Sequence, residues 1–82
     1  MSYEKVKQAK EIRIGLKQTM KSVQQSEVDE VLIAKDADPH IVSKVHRICE
    51  EHRVSTIYVD SMKTLGQTCG IDVGAATVAL KK

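Results

Sequence analysis

Eighty-two residues, 41% of them hydrophobic, are enough for one compact domain with a core and too few for two. No run approaches the apolar length of a membrane helix, and the opening Met1-Ser2-Tyr3-Glu4-Lys5 is charged where a signal peptide would be apolar, so a soluble, cytoplasmic protein is expected. The net charge of +2 conceals an asymmetry: residues 1–25 carry six basic and two acidic side chains (+4) and residues 26–82 carry seven and nine (−2), so a phosphate-rich partner would favour the N-terminal third.

Ser2 is placed to cap a short first helix reaching about Lys10, with Val6 and Ala9 turned inward. Ile12-Arg13-Ile14 alternates as a short strand does. A second helix starts at Gly15 or Leu16 and buries Leu16, Met20 and Val23, leaving Lys17, Lys21 and Gln24 on its opposite face.

The run from Ile14 to Lys21 joins a strand end, a glycine and a lysine-bearing helix start. A helix N-terminus offers unpaired N–H groups and the positive end of its dipole, Gly15 admits another backbone, and Lys17 and Lys21 share one face. Such a surface suits phosphate. Equally, Gly15 can serve only the turn and the lysines only solvate an exposed face.

Between Val28 and Ala34, the apolar run Val31-Leu32-Ile33 reads as a strand covered on both faces. Asp38-Pro39 opens a third helix, extending to about His52, with Asp as cap and Pro at its first position. Ser55 to Val59 is a third strand, Asp60 or Ser61 caps a fourth helix ending at a left-handed Gly70, and Ala75 to Leu80 is a last strand. Alternation of helix and strand gives an α/β class with helices on both faces of a small sheet. Gly66, Gly70 and Gly74, four apart, are read as close helix packing, a cap and a turn.

Few residues here can converge for chemistry. No Gly-x-Ser-x-Gly elbow, Gly-x-x-x-x-Gly-Lys loop or Gly-x-Gly-x-x-Gly after the first strand occurs, and Glu27, Asp29, Glu30, Glu50 and Glu51 read as exposed positions near element ends. Catalysis is not expected, and no cofactor is implied. Cys49 and Cys69 form no Cys-x-x-Cys pair and read as small buried residues. His46, Cys49 and His52 lie three apart on one helix, but Ile41, Val42, Val45, Ile48 and Cys49 define its buried stripe, so no metal site is assigned.

Two tyrosines and neither Phe nor Trp exclude an aromatic sheet on which single-stranded bases stack. Binding through backbone, shape and polar edges favours structured RNA. A protein-interaction module in a ribosomal or RNA-processing complex, its basic third meeting an acidic protein, is the alternative from another class. A small-ligand or metal protein using His46 and His52 is a third.

Three segments carry a family resemblance: Gly15-Leu16-Lys17-Gln18-Thr19, the Lys35-Asp36-Ala37-Asp38-Pro39 turn, and Leu65-Gly66 followed by Cys69-Gly70-Ile71-Asp72-Val73. In this order, over nearly the whole chain, they resemble the ribosomal protein L7Ae/L30e superfamily, and most the short bacterial L7Ae-like proteins. The resemblance implies a three-layer α-β-α sandwich around a mixed four-stranded sheet. It also implies binding to kink-turns, RNA helices bent sharply at an internal loop flanked by sheared G·A pairs, with the ribosome as a candidate setting and a monomer as the expected form. The RNA-binding residues it carries over are Gly15, Lys17, Gln18, Thr19, Lys21, Lys35, Asp36, Ile71, Asp72 and Val73. Among them, Lys17 and Gln18 would read base edges, Lys21 would meet phosphate, Gly15 would permit close approach, and the Ile71-Asp72-Val73 loop would cover the base extruded at the kink. Two positions depart from the best-known pattern. Lys17-Gln18 stands where archaeal members have Asn-Glu, and Gly74 stands where many members have Pro, which predicts a loop more flexible before binding.

Overall fold

The computed structural model describes residues 3–81. Eight elements follow in chain order: α1 (Glu4–Gln8), β1 (Glu11–Ile14), α2 (Leu16–Gln24), β2 (Glu30–Ala34), α3 (Pro39–Glu51), β3 (Ser55–Val59), α4 (Met62–Thr68) and β4 (Thr77–Lys81). All the expected elements form. The boundaries of the last strand move toward the C-terminus because Ala75 and Ala76 belong to the loop that enters it, and the expected Ser2 cap lies outside the described residues.

The strands form one sheet in the order β1-β4-β2-β3. β2 and β3 run parallel, whereas β4 runs antiparallel to both β1 and β2. The central strands β2 and β4 are covered on both faces, which accounts for the uninterrupted apolar run of Val31-Leu32-Ile33.

Side-chain alternation divides the core into two. Leu32, Ala34, Val59, Val78 and Leu80 face one side, where Val6 of α1 and Leu65 of α4 complete the cluster. Val31, Ile33 and Ala79 face the other, against Val23 of α2 and Val45, Ile48 and Cys49 of α3. The result is the α-β-α sandwich, with α1 and α4 in one outer layer and α2 and α3 in the other.

Helix starts follow the chemistry read from the residues. The Asp38 carboxylate accepts from the His40 N–H at 2.8 Å with Pro39 at the first helical position, and Ser61, of the two candidates, caps α4 through the Thr64 N–H at 3.1 Å. Gly70 takes φ +81° just past α4, the left-handed conformation expected there.

One carboxylate departs from the exposed positions assigned by sequence. Glu30 opens β2 on the α1 side of the sheet and is only 9% exposed. Lys5 of α1 covers it, its ammonium 3.1 Å from the Glu30 carboxylate. The sheet register forces this burial: Glu30 shares the pleat of Leu32 and Ala34, so its side chain points under α1.

Candidate functional site

Because β4 is antiparallel to its two neighbours, β1, β2 and β3 all end where β4 begins. Backbone hydrogen bonds tie these ends together. The Gly15 N–H donates to the Thr77 carbonyl at 3.0 Å, the Ala34 N–H to the Ala76 carbonyl at 2.9 Å, and the Lys35 N–H to the Val59 carbonyl at 2.8 Å. The glycine-lysine helix start, the Lys35-Asp36 turn and the loop entering β4 therefore occupy one end of the sheet, although they span residues 15 to 76. The carboxyl ends of strands in open α/β sheets are where ligands are generally held.

Gly15 stands at the head of α2 with φ +98° and ψ 164°, a backbone region open in practice only to glycine. No side chain caps the helix there, and a Cβ built on Gly15 would meet nothing within 4 Å. The glycine is required by conformation, while the space above it is open. The first N–H groups of α2 are thus left to an incoming acceptor.

Lys17, Gln18 and Lys21 are exposed on α2, whereas Leu16 and Met20 pack toward α3. The first turn of α2 contains no acidic residue to offset the positive end of its dipole. Thr19 corrects the expectation of direct contact. It is 0% exposed, its hydroxyl 3.5 Å from the Arg13 carbonyl and its N–H bonded to the Gly15 carbonyl at 3.0 Å. Thr19 lies on the flank of α2 that faces β1, so its side chain fastens the strand-helix junction beneath Gly15.

Lys35 and Asp36 are both exposed in the turn after β2. The Asp36 carboxylate accepts from the Met62 N–H at 2.8 Å, linking this turn to the first residue of α4. The opposite loop is seated on the same helix. Gly66 has no room for a side chain, because a Cβ there would overlap the Val73 carbonyl oxygen and stand 3.1 Å from its carbon. The Ile71 N–H donates to the Gly66 carbonyl at 3.1 Å and the Ala75 N–H to the Met62 carbonyl at 3.0 Å.

That packing modifies the reading of Gly66 and bears on that of Gly74. The close approach at Gly66 is by loop backbone and not by another helix. Gly74, expected to loosen the loop, keeps φ outside the left-handed region, and a Cβ there would stand 3.1 Å from the Met62 Cβ. On this support Ile71 is half-buried against α4, Asp72 is exposed, and the Val73 side chain is 69% exposed. An apolar side chain so exposed on a pinned loop presents a contact surface. The Gly66 to Gly74 spacing was the sequence signal for this seat; nothing in the sequence marked Met62.

The remaining candidates do not join this end. Cys49 is buried in the α2-α3 core, where burial pushes its thiol up to about 11, and Cys69 is raised for the same reason. Among the described residues no group of His, Cys, Asp and Glu is arranged to hold a metal ion. His46 is instead bonded to the Glu50 carboxylate at 2.9 Å and the Tyr58 hydroxyl at 3.1 Å. A concavity of about 310 Å³, bordered by Lys5, Lys10, Glu30 and Leu80, lies at the other end of the sheet. No helix of the described residues is long and apolar enough to cross a membrane.

Residues 2–82 match the model of the Ribosomal protein L7Ae/L30e/S12e/Gadd45 family. The chain is 62% identical over 82 residues to RNA-binding protein BH0128 of Halalkalibacterium halodurans, covering 100% of each chain. It is 51% identical over 80 residues to RNA-binding protein YbxF of Geobacillus stearothermophilus, covering 98% of each. Among solved structures, a 15.5kD RNA binding protein of Giardia lamblia is similar with a TM-score of 0.83 and 29% identity, over 98% of this chain and 67% of that one.

Proposed function

Because the chain belongs to the Ribosomal protein L7Ae/L30e/S12e/Gadd45 family, we propose that it is a non-enzymatic RNA-binding protein that recognises kink-turns in structured RNA and holds them bent. The observation that supports the proposal is that the open Gly15 helix start, bonded to Thr77 at the start of β4, and the Ile71 to Val73 loop that leads into β4 lie toward the same end of the sheet. Names borne by the similar proteins agree with RNA as the partner.

In this reading the α2 N-terminus enters the widened groove of the kink. Lys17 and Gln18 reach base edges, Lys21 and Lys35 neutralise phosphate, and the Val73 side chain packs on an extruded base. Aromatic stacking is replaced by an aliphatic contact, in keeping with a chain of two tyrosines. Contacts that exist only in the bent RNA draw its population toward that form, so the protein acts by differential binding and needs no reaction.

Titration of the protein, at one salt concentration, against a kink-turn RNA and a straight duplex of equal length tests the proposal. A clear preference for the kink-turn is expected, with Lys17→Ala and Gln18→Ala each costing about 1–3 kcal/mol, the range for base-edge contacts in DNA complexes. Equal affinity for both RNAs would leave only generic electrostatic binding. Binding to neither would favour a protein partner at this surface.

A further inference from the structure

Resting on that reading of the loop, we infer that Asp36 is a positioning residue: it fixes the Ile71 to Val73 loop through Met62, in place of touching the RNA itself. α4 has seven residues, too few to persist as a helix without outside support. Its placement depends on tethers at its first turn. The Ser61 N–H donates to the Tyr3 hydroxyl at 3.2 Å, the Met62 N–H to the Asp36 carboxylate at 2.8 Å, and the Thr64 N–H to the Ser61 hydroxyl at 3.1 Å.

Met62 is joined to two segments at once. Its N–H is held by Asp36, while its carbonyl receives the Ala75 N–H at 3.0 Å and its side chain abuts Gly74. Asp36, Met62 and Ala75 thus form a relay from the β2-α3 turn to the base of the apolar loop. Val73, at 69% exposure, has little packing of its own to keep it in place. The backbone on either side, seated on Gly66 and tied at Ala75, has to do so. Loss of the carboxylate releases the first turn of α4 and, with it, that seat.

The test compares the wild-type chain with Asp36→Ala, Asp36→Asn, Val73→Ala and the Asp36→Ala/Val73→Ala double variant. Amide hydrogen exchange of the protein without RNA is expected to show Met62 and Ala75 exchanging about fivefold or more faster in Asp36→Ala, as for a lost helix cap, with Gly15 unchanged. Asp36→Asn, which keeps an acceptor oxygen, is expected to restore both amides. In kink-turn titrations Asp36→Ala loses about five- to tenfold in affinity, Asp36→Asn recovers most of it, and the double variant binds within about twofold of Val73→Ala alone, because the two changes act on one contact.

Unchanged Met62 and Ala75 exchange in Asp36→Ala overturns the inference, as do affinity losses that multiply in the double variant. If Asp36→Ala does not fold, Asp36→Ser takes its place: its shorter side chain does not reach the Met62 N–H, so faster Met62 and Ala75 exchange is expected, and exchange unchanged from the wild-type chain overturns the inference. A wild-type chain without preference for the kink-turn removes the proposed function, yet the amide measurements still settle whether Asp36 holds the loop.

Discussion

Gly66→Ala sets two physical effects of opposite sign against each other. Alanine is favoured over glycine inside a helix by about 0.8–1.0 kcal/mol, so propensity alone predicts a more stable protein. The seat of the loop predicts the reverse. A Cβ at Gly66 would overlap the Val73 carbonyl oxygen and stand 3.1 Å from its carbon and 3.2 Å from the Gly74 Cα, all of it backbone that no rotamer change can move. The loop must therefore retreat, which weakens the Ile71 to Gly66 and Ala75 to Met62 hydrogen bonds at about 1 kcal/mol each. Overpacking adds roughly 1–3 kcal/mol. Offset by propensity, the net loss is about 2–4 kcal/mol, or a fall in Tm of the order of 10 °C or more for a domain of this size. Urea denaturation of Gly66→Ala beside the wild-type chain measures it. A variant as stable as wild type, or more stable, would refute the view that the loop is pinned on α4.

Gly15→Ala is expected to cost about 1–3 kcal/mol in the same denaturation experiment, from the φ of +98° alone, since no neighbour obstructs the added methyl. Lys5→Met and Glu30→Leu, taken through a double-mutant cycle, are expected to show a coupling of about 1 kcal/mol, more than a fully exposed pair supplies, because Glu30 is 9% exposed. For Cys49 the sign is as follows: burial raises the folded-state thiol from 9.0 to about 11, so the folded chain keeps its proton when the unfolded chain has lost it. The corresponding stability is complete below pH 9 and declines between pH 9 and about 11, which a series of urea midpoints across that range resolves. Cys49→Ala should flatten the decline.

Most of the architecture was legible because periodicity and caps agree with each other. Asp38-Pro39, Ser61 and Gly70 mark helix ends by local chemistry, and Val31-Leu32-Ile33 announces a strand covered twice. What escaped were features decided by segments far apart in the chain. Thr19 belongs to a surface motif by spacing but sits on the flank facing β1, so the fold takes its side chain for the junction. Glu30 looks like an element end and becomes buried through its register in the sheet. Gly66 was recognisable as a close-packing glycine, whereas its true neighbour, the Val73 carbonyl, follows only from how the chain returns over α4. The Asp36 to Met62 bond spans 26 positions and leaves no local trace.

The strand order has a kinetic consequence. β1 is joined to the rest of the sheet solely through β4, which inserts between β1 and β2 although it is the last element in sequence. The parallel β2-β3 pair with α3 is the more local unit, whereas the ladder pairs of β1 with β4 join residues 64 to 70 positions apart. Loop closure makes such pairings late, so β2, α3 and β3 are expected to order first and β4 to dock afterwards. Since Gly15 bonds to Thr77 at the start of β4 and the Ile71 to Val73 loop leads into the same strand, the two parts of the surface come into register in that final docking. A folding intermediate lacking β4 would hold the Lys35-Asp36 turn but not the Gly15 to Thr77 bond or the seated loop, so full binding competence becomes a report on completed folding.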